Sequence, residues 1–536
     1  MAGRFINLLA YTGLWIPLPA TILLITLIKQ LNQRFEITVS FILGIFLCMH
    51  CISIYIWTQN SIAKKNGKQN FSFTQSSFSM HPEYQNSYRN AALERKPPAE
   101  LLQKTPNGFV LGKSNGKYVC IQPGKQGATH LLVVGGSGSG KTSSALGCSM
   151  LGSNLTWIMV DIKGELHEKF FKKDSDIAIF NPKRRDLSGF DFFYDLTNES
   201  SDMDVLDTLK RVVYALIPAK NNNTDSFWTD GPRNILLGIF LYGWKHQSLH
   251  NLPDLADYAL SKNLKTLIND ILSNVESYST ISKLLTPFGG EDAADETLSS
   301  LAMNIGNALQ LIATDETVRF LLRESNRKIN PTIIEKGCSI DIHISDKDLN
   351  KYTQLLNLLI GCCCNYLTTR PEQSSPVVLC IDELGRLVHD GQIEGLQETL
   401  QIGRSRGVSV ICCLQSWSAM EAVYPKGATQ DMLNNFSYRL ILQSQPDDKN
   451  TSDMAIKSFG KYTEKKRSVS KGKQSSCTYS YEEKDVLRET DLLTLPVNNK
   501  AIMLSPYGAY YLDKCQYFKD AYFKKQSKQI LQKGEN

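Results

Sequence analysis

The feature that most constrains this chain is a glycine-rich stretch, residues 135–142, that directly follows the apolar run 131–134. It reads Gly-Gly-Ser-Gly-Ser-Gly-Lys-Thr and matches the phosphate-loop pattern G-x-x-x-x-G-K-[ST]. Residues 143–151 after it are compatible with a helix. Phosphate binds between a strand and a helix in this way because the first backbone N–H groups of the helix have no partner of their own. The stretch therefore predicts a nucleotide-binding α/β fold rather than a glycine-rich turn without a ligand.

Two side chains of this loop have distinct predicted roles. Lys141 is expected to reach the β- and γ-phosphates of ATP, and the hydroxyl of Thr142 is expected to bind Mg²⁺. The predicted nucleotide-binding residues are Gly135, Gly136, Ser137, Gly138, Ser139, Gly140, Lys141 and Thr142.

The rest of the chain supports the α/β prediction. Short β-branched runs alternate with helical stretches, which is typical of a mostly parallel sheet with helices on both faces. The predicted strands are residues 131–134, 157–161, 177–180, 339–344, 377–382, 408–414 and 439–443. Between residues 198 and 330 apolar residues recur with a period of 3.6, which predicts a helical insertion. Residues 461–480 are basic and poor in apolar side chains, and we expect a mobile loop there.

A second signal is the apolar strand 377–381, which ends in Asp382 and Glu383. In phosphate-loop ATPases the first acid of such a pair holds Mg²⁺, usually through water, and a neighbouring glutamate polarises the attacking water. A buried strand that ends in acidic residues is common without any such role. Its presence downstream of the phosphate loop favours Asp382 as a metal ligand and Glu383 as a catalytic residue.

The strand 408–414 is followed by Gln415, whose amide is a candidate sensor of the γ-phosphate. It is preceded by the segment 403–407, which carries Arg404 and Arg406. An arginine at this place can enter a neighbouring subunit's site in a ring and stabilise transition-state charge. Taken alone, each arginine is better explained as a solvated surface residue, and only an oligomer gives either of them a role at a site.

Two uncharged apolar runs, residues 5–28 and 37–57, are each long enough to cross a bilayer as a helix. A cleaved signal peptide is the alternative, but the first run is longer than a usual signal segment and a second run follows it. Positive residues flank the outer ends of the pair slightly more than the loop between them, which favours both termini in the cytoplasm. We therefore expect two transmembrane helices.

The composition restricts the possible partners and the cellular compartment but does not indicate a function. A net charge of +6 permits contact with nucleic acid or anionic lipid without requiring either. The 13 cysteines fall mostly in apolar runs and not at paired ligand spacings, which indicates reduced thiols of a cytosolic core.

With these motifs in place, the chain resembles the type IV secretion coupling proteins, the TraG/TraD group of conjugation ATPases, over nearly its full length. Besides the phosphate loop, the segments that carry the resemblance are residues 160–166, 226–228, 381–387, 402–407, 414–416 and 424–443. The chain departs from the group modestly, with Leu384 where Phe is common and Ile402 where a small or hydroxyl residue often stands. The second departure leaves open whether Arg404 or Arg406 is the residue that acts in a neighbouring site.

The resemblance implies a RecA-like P-loop ATPase domain with an inserted all-α domain and two N-terminal transmembrane helices, assembled as a homo-hexamer. It implies ATP and Mg²⁺ as cofactors, with Lys141, Thr142 and Asp382 binding them and Glu383, Gln415 and Arg404 acting in hydrolysis. The implied role is to receive a single-stranded DNA/relaxase complex, or protein effectors, and deliver it to a type IV secretion channel. The implied location is the bacterial inner membrane, crossed more than once, with the motor in the cytoplasm.

The resulting segments are two transmembrane helices at 1–63, a linker with a short strand at 64–125, a nucleotide-binding domain at 126–198 and 331–520, an all-α domain at 199–330, and a C-terminal tail at 521–536. Two other functions compete with the DNA motor. One is a secretion receptor for protein effectors that uses ATP as an assembly switch. The other is an FtsK-like DNA translocase, which the presence of only two predicted spans and the absence of a DNA-reading winged-helix tail disfavour.

Overall fold

The computed structural model describes residue 89 and residues 92–123, 129–171, 176–197, 199–219, 226–290, 294–388, 391–445, 448–470 and 476–532. These residues belong to the second of two compact units, Met80–Asn536. The first unit, Met1–Ser79, lies outside the described residues, and so do the two runs predicted to cross the membrane, 5–28 and 37–57. Within the described part, none of the helices combines the length and the apolar character that a bilayer crossing needs.

A sheet of 12 strands forms the centre of the structure, in the order β1-β3-β2-β16-β15-β12-β4-β11-β10-β5-β9-β6. Seven of them, from β12 to β6, run parallel, and the other five form an antiparallel extension beyond β12. The α/β prediction is confirmed. The strands of this sheet are β1 Leu102–Gln103, β2 Phe109–Ser114, β3 Lys117–Ile121, β4 Leu131–Val134, β5 Thr156–Asp161, β6 Ile177–Phe180, β9 Ser339–His343, β10 Val377–Ile381, β11 Val408–Leu414, β12 Tyr438–Ile441, β15 Lys500–Ser505 and β16 Gly508–Asp513.

Two smaller sheets have two strands each. One pairs β7 Gly189–Phe190 with β8 Lys328–Ile329, and the other pairs β13 Lys461–Ser470 with β14 Ser476–Asp485. The parallel β7–β8 pair brings together the two ends of the long segment between them, 191–327.

The α-helices of the described residues follow in chain order. They are α1 Gly147–Leu151, α2 Leu166–Phe170, α3 Asp202–Leu216, α4 Phe227–His246, α5 Leu252–Ala259, α6 Leu264–Ser273, α7 Thr280–Leu285, α8 Asp295–Thr314, α9 Glu316–Arg323, α10 Leu349–Thr369, α11 Leu384–Leu387, α12 Leu396–Ile402, α13 Ser418–Glu421, α14 Lys426–Asn435, α15 Lys449–Phe459, α16 Glu489–Leu493 and α17 Ala521–Gln532. Helices α3 to α9 lie between β7 and β8, where the period of 3.6 predicts helices.

Apolar side chains of the parallel strands are buried on both faces of the sheet. In β4, Leu132 and Val134 join the core on one face, and Leu131 and Val133 join the core on the other. The first core continues without a break into helices α3 to α10, and the second lies under α1, α2 and α17. Because successive side chains of a strand point to opposite faces, a parallel strand covered on both sides has to be apolar throughout.

The structure differs from the sequence prediction in three places. Residues 461–480, predicted as a mobile loop, lie mostly in the β13–β14 hairpin. Residues 102–121, predicted as linker with one short strand, supply three strands to the antiparallel extension. The end of the chain, predicted as a tail, contains α17, which buries Phe523 and Ile530 in the second core. Hydrophobicity did not indicate the hairpin because its strands are polar, whereas their threonine and tyrosine content favours β-structure.

Candidate active site: a phosphate loop beside an acidic pair

The phosphate loop leaves β4 at the carboxyl edge of the parallel sheet. β4 lies between β11 and β12. At its end the backbone N–H of Gly135 donates to the carbonyl of Leu414 at 3.0 Å, and the N–H of Leu442 donates to the carbonyl of Val134 at 2.8 Å. The loop is thus fixed between the ends of two neighbouring strands, which is where ligands bind in open α/β sheets.

One glycine of the loop has a backbone conformation that disfavours any side chain, and a second lies against a neighbouring glutamine. Gly140 has a φ of +99°, in the left-handed region, and its carbonyl accepts from the N–H of Ser144 at 2.8 Å at the start of the following helix. That helix begins with the π-helical turn Lys141–Leu146 and continues as α1. At Gly136 a Cβ atom would lie 1.9 Å from the side-chain nitrogen of Gln445. The loop conformation therefore agrees with the predicted phosphate-binding motif.

The ammonium group of Lys141 lies inside the loop. The side chain is only 7% exposed. Its Nζ donates to the carbonyl of Gly135 at 2.8 Å and to that of Gly136 at 3.3 Å. Thr142, the next residue, is partly buried in the same helical turn. This arrangement places a buried positive charge where the motif requires one for phosphate.

Asp382 directly follows β10, which is separated from β4 by β11 alone. The residue is 1% exposed, and its Oδ1 has no hydrogen-bond partner among the described residues. Burial, and then the neighbouring charge of Glu383, raise the pKa of Asp382 to about 6, although Lys163 acts against this. A buried carboxylate oxygen without a partner is costly unless a ligand completes it, so Asp382 fits a site for a hard cation such as Mg²⁺.

Glu383 is buried beside Asp382 and is held by two cations. Its Oε1 lies 3.2 Å from Nζ of Lys163, and its Oε2 lies 3.5 Å from Nη1 of Arg386. Glu383 also has a φ of +60°, which is uncommon for a residue with a side chain. Strained backbone of this kind is concentrated at functional sites. Lys163 belongs to one of the segments that carried the family resemblance, but it was given no role from sequence.

The structure separates the two remaining predicted residues. Gln415 directly follows β11 and is exposed, next to Leu414, which bonds the start of the phosphate loop. Arg404 precedes β11, in the 3₁₀ turn Gly403–Arg406 at the opposite end of that strand. Gln415 is therefore at the phosphate loop, whereas Arg404 of the same chain is not.

The two arginines of this turn differ in exposure. Arg404 is exposed, and its guanidinium donates to the hydroxyl of Ser437. Arg406 is partly buried and donates to the carbonyl of Arg370, whose own guanidinium donates back to the carbonyl of Arg406 at 2.8 Å. Arg406 thus takes part in holding the turn, and Arg404 is the more accessible of the two.

Three further residues lie at the loop and were missed by sequence reasoning. Gln443 and Gln445 follow β12 and approach Gly136. Lys514 follows β16, and its Nζ donates to the carbonyl of Ser139 at 2.8 Å. In the sequence Gln443 ends the predicted strand 439–443 and a segment of the family resemblance, Gln445 lies two residues beyond it, and no local pattern identifies Lys514.

Comparisons with known proteins agree with this geometry. Residues 89–535 match the family described as Type IV secretory system Conjugative DNA transfer. Protein VirD4 of Rhizobium rhizogenes is 21% identical over 457 residues, which cover 82% of this chain and 66% of the relative, slightly under two thirds of its length.

Solved structures of the plasmid coupling protein TrwB share the fold. TrwB in complex with ADP and Mg²⁺ matches with a TM-score of 0.59 and 19% identity, over 79% of this chain and 90% of that one. TrwB in complex with the GTP analogue GDPNP matches with the same score and identity, over 80% and 92%. The match confirms a TrwB-like α/β fold with a mixed sheet, as expected of a RecA-like ATPase.

Proposed function

This chain belongs to the type IV secretory system conjugative DNA transfer family, and from this we propose that it is a coupling ATPase, which hydrolyses ATP to drive single-stranded DNA with its relaxase to a secretion channel. The observation that carries the proposal is a phosphate loop, residues 135–142, after β4, together with a buried acidic pair, Asp382 and Glu383, after β10, with only β11 between these two strands. TrwB, which shares the fold, is known in complexes with ADP and Mg²⁺ and with a nucleotide analogue.

The residues divide the chemistry as follows. The N–H groups of the loop and Lys141 bind the phosphates, and Glu383 accepts a proton from the attacking water. Lys163 and Arg386 hold Glu383 in place by their ion pairs at 3.2 and 3.5 Å. Gln415 is positioned to sense the γ-phosphate from the end of β11. Thr142 and Asp382 would hold Mg²⁺, which when bound neutralises charge on the β- and γ-phosphate oxygens.

Replacing Glu383 by Gln tests the assignment. The side chain keeps its size but no longer accepts a proton, so ATP hydrolysis should fall by about 10²–10⁴-fold while ADP affinity stays within threefold of wild type. Steady-state ATPase assays and titration with a fluorescent ADP analogue measure both. The control is Glu398→Gln on the exposed face of α12, which should leave both unchanged. If cells carrying the Glu383→Gln variant transfer DNA as well as wild-type cells do, ATP acts as an assembly switch and the motor proposal is wrong.

The β13–β14 hairpin supports DNA as cargo. In sequence, the segment 465–481 contains five basic residues and no acidic residue. Its strand β14 carries Tyr479 and Tyr481, which are 50% and 58% exposed. Basic residues that neutralise phosphates, with aromatic rings for base stacking, bind single strands without sequence preference.

Neutralising three of these charges tests the DNA assignment. The triple variant Lys465→Gln, Lys466→Gln, Arg467→Gln should bind single-stranded DNA about tenfold more weakly. Its binding constant should also depend less steeply on salt, with the slope of log K against log salt smaller in magnitude by about 2. Fluorescence anisotropy at several salt concentrations measures both. The control removes the same charge from α17, with Lys524, Lys525 and Lys528 changed to Gln, and should bind as wild type. Equal weakening in both variants would show a nonspecific charge effect.

In this proposal, the active form of the protein is a ring of subunits anchored in a membrane. We infer a homo-hexamer in which Arg404 of one subunit completes the site of the next, because Arg404 is exposed and lies away from the loop of its own chain. We further infer an anchor in the bacterial inner membrane, formed by the apolar runs 5–28 and 37–57, with the motor in the cytoplasm, where ATP is available.

A further inference from the structure

A second lysine, Lys514, contacts the backbone of the phosphate loop. Lys514 follows β16 and is 6% exposed. Its Nζ donates to the carbonyl of Ser139 at 2.8 Å. This contact joins positions that are 375 residues apart in the chain, so the last strand of the sheet is tied directly to the loop.

The charge of Lys514 is not compensated by a carboxylate of the described residues. The two nearest acidic residues in sequence have other partners, since Asp513 pairs with Lys500 and Asp520 pairs with Lys113. Burial lowers the pKa of Lys514 to about 8, and no neighbouring charge contributes to this change. A buried ammonium group without an anion is unfavourable by itself and becomes favourable when an anion is bound nearby.

The contact also sets the direction of one peptide group. In a trans peptide the C=O and N–H point to opposite sides. Because Lys514 holds the carbonyl of Ser139, the N–H of Gly140 points away from Lys514, and it is one of the loop N–H groups that the motif uses for phosphate. A cation on the carbonyl also polarises the peptide and strengthens its N–H as a donor.

Residues 514–517, which we call the strap, run along the helix that follows the loop. The N–H of Tyr517 donates to the carbonyl of Ser143 at 3.0 Å, and the thiol of Cys148 contacts the carbonyl of Cys515 at 3.3 Å. The N–H of Lys514 itself donates to the carbonyl of Asn499 at 2.8 Å. The backbone at Lys514 is therefore fixed between the sheet and the helix that follows the loop.

We propose that Lys514 is a positioning residue for nucleotide: it holds the Ser139–Gly140 peptide in the orientation that donates to a phosphate and adds an uncompensated positive charge beside that phosphate. This rests on the proposed nucleotide binding at Gly135–Thr142. ATP and ADP both carry the phosphates concerned, so the contribution is to binding rather than to the hydrolytic step.

The test compares Lys514→Met, which keeps the length of the side chain without its charge, with Lys514→Arg, which keeps the charge. In the purified full-length protein, Lys514→Met should weaken ADP binding and raise the KM for ATP, each about tenfold, with kcat within twofold of wild type. Lys514→Arg should recover most of the affinity. Lys524→Met on the exposed face of α17 is the matched control and should have no effect.

A pH series separates the charge from a purely structural contribution. Wild-type ADP affinity should fall above about pH 8 as Lys514 loses its proton, and this fall should be absent from Lys514→Met. If Lys514→Met binds ADP as tightly as wild type, or shows the same fall with pH, the proposal is wrong. If the wild-type chain binds no nucleotide at any pH, the proposed function itself fails, which is a different result.

Discussion

Two buried aspartates of the parallel sheet have opposite surroundings. Asp161, at the end of β5, accepts three backbone N–H groups, from Lys163, Gly164 and Leu166, at 3.2, 2.8 and 2.6 Å. Asp382, which follows the neighbouring strand β10, has a side-chain oxygen without a partner among the described residues. The first carboxylate is satisfied by its own chain and stabilises the fold, whereas the second is left for a ligand. This difference supports the proposal that Asp382, unlike Asp161, binds a ligand.

Replacing each aspartate by asparagine should therefore change stability in opposite directions. Asp382→Asn removes a poorly solvated charge and should raise the Tm at neutral pH, while it abolishes the tightening of ADP binding by Mg²⁺. Asp161→Asn exchanges an acceptor for a donor and should lower stability by about 1–3 kcal/mol. Thermal unfolding without nucleotide, and ADP titration with and without Mg²⁺, measure these effects. A lower Tm for Asp382→Asn would mean that its carboxylate already has a stabilising partner.

Site residues that lie next to each other in the sequence were predicted well, and site residues that come from distant parts of the chain were not. The phosphate loop is a continuous motif, and its strand and helix are where the motif requires them. Lys514 and Gln445 reach the same loop only because β16 and β12 lie on that side of β4 in the sheet. No local pattern carries that information, since it depends on the order of strands across the sheet.

Among the elements, the parallel strands were the most predictable. They are apolar because both faces are covered, and the runs 131–134 and 177–180 coincide with β4 and β6. The prediction for residues 439–443 was displaced from β12, Tyr438–Ile441, by one or two residues. Elements with polar faces, such as the β13–β14 hairpin, were missed because a solvated strand lacks the apolar signal that identifies a buried one.

The turn that carries Arg404 depends on a buried arginine. Arg370 is fully buried, and its guanidinium donates to both oxygens of Glu335 at 2.6 and 3.0 Å and to the carbonyls of Ser375 and Arg406 at 3.0 and 2.8 Å. One side chain thus joins the end of α10 to the turn before β11. Hydrogen bonding from Arg370 lowers the pKa of Glu335 below its ordinary value of 4.5.

Arg370→Met should destabilise the fold by roughly 3 kcal/mol at neutral pH, because it leaves two carbonyls and a carboxylate without their donor. Since the folded state lowers the pKa of Glu335, the pair's contribution is present above pH 4.5 and is lost as the pH falls through the lowered value. The difference in unfolding free energy between wild type and variant should therefore become smaller as the pH falls below 4.5. Denaturant unfolding at pH 7 and pH 3.5 measures it.

The control for this prediction is Arg319→Met, because Arg319 forms a two-pronged pair with Asp257 at 2.7 and 2.8 Å in a more exposed setting. Exposed pairs contribute up to about 1 kcal/mol. An equal loss of stability in both variants would show that burial of Arg370 is not what makes its contacts important.

For the molecule as a whole, the position of Arg404 is the main argument for an oligomer. β11 has seven residues, Val408–Leu414, and so spans about 20 Å. Arg404 and Gln415 flank its two ends, which puts Arg404 far from the phosphate loop of its own chain. If Arg404 acts in hydrolysis, it acts on the site of another subunit.

Two variants that are inactive alone should then restore each other when mixed. Arg404→Ala keeps its own acidic pair but supplies no arginine, and Glu383→Gln supplies the arginine but lacks the catalytic carboxylate. Each alone should lose at least about 100-fold in ATPase rate. In a 1:1 mixture assembled at random, about a quarter of the interfaces combine an intact Glu383 with an intact neighbouring Arg404. ATPase activity of the mixture should therefore recover to about a quarter of wild type.

The same mixture with Arg406→Ala in place of Arg404→Ala decides between the two arginines. Arg406 is tied to Arg370 within its own chain, so Arg406→Ala should lower stability but leave Arg404 available to the neighbouring site. In a 1:1 mixture with Glu383→Gln, the ATPase activity should then equal that of the Arg406→Ala subunits alone, with no recovery beyond it. Absence of recovery in the Arg404→Ala mixture, with both proteins shown to co-assemble, would mean that each site is completed within one chain. The β11 geometry would then have to change on nucleotide binding to bring Arg404 to its own phosphate loop.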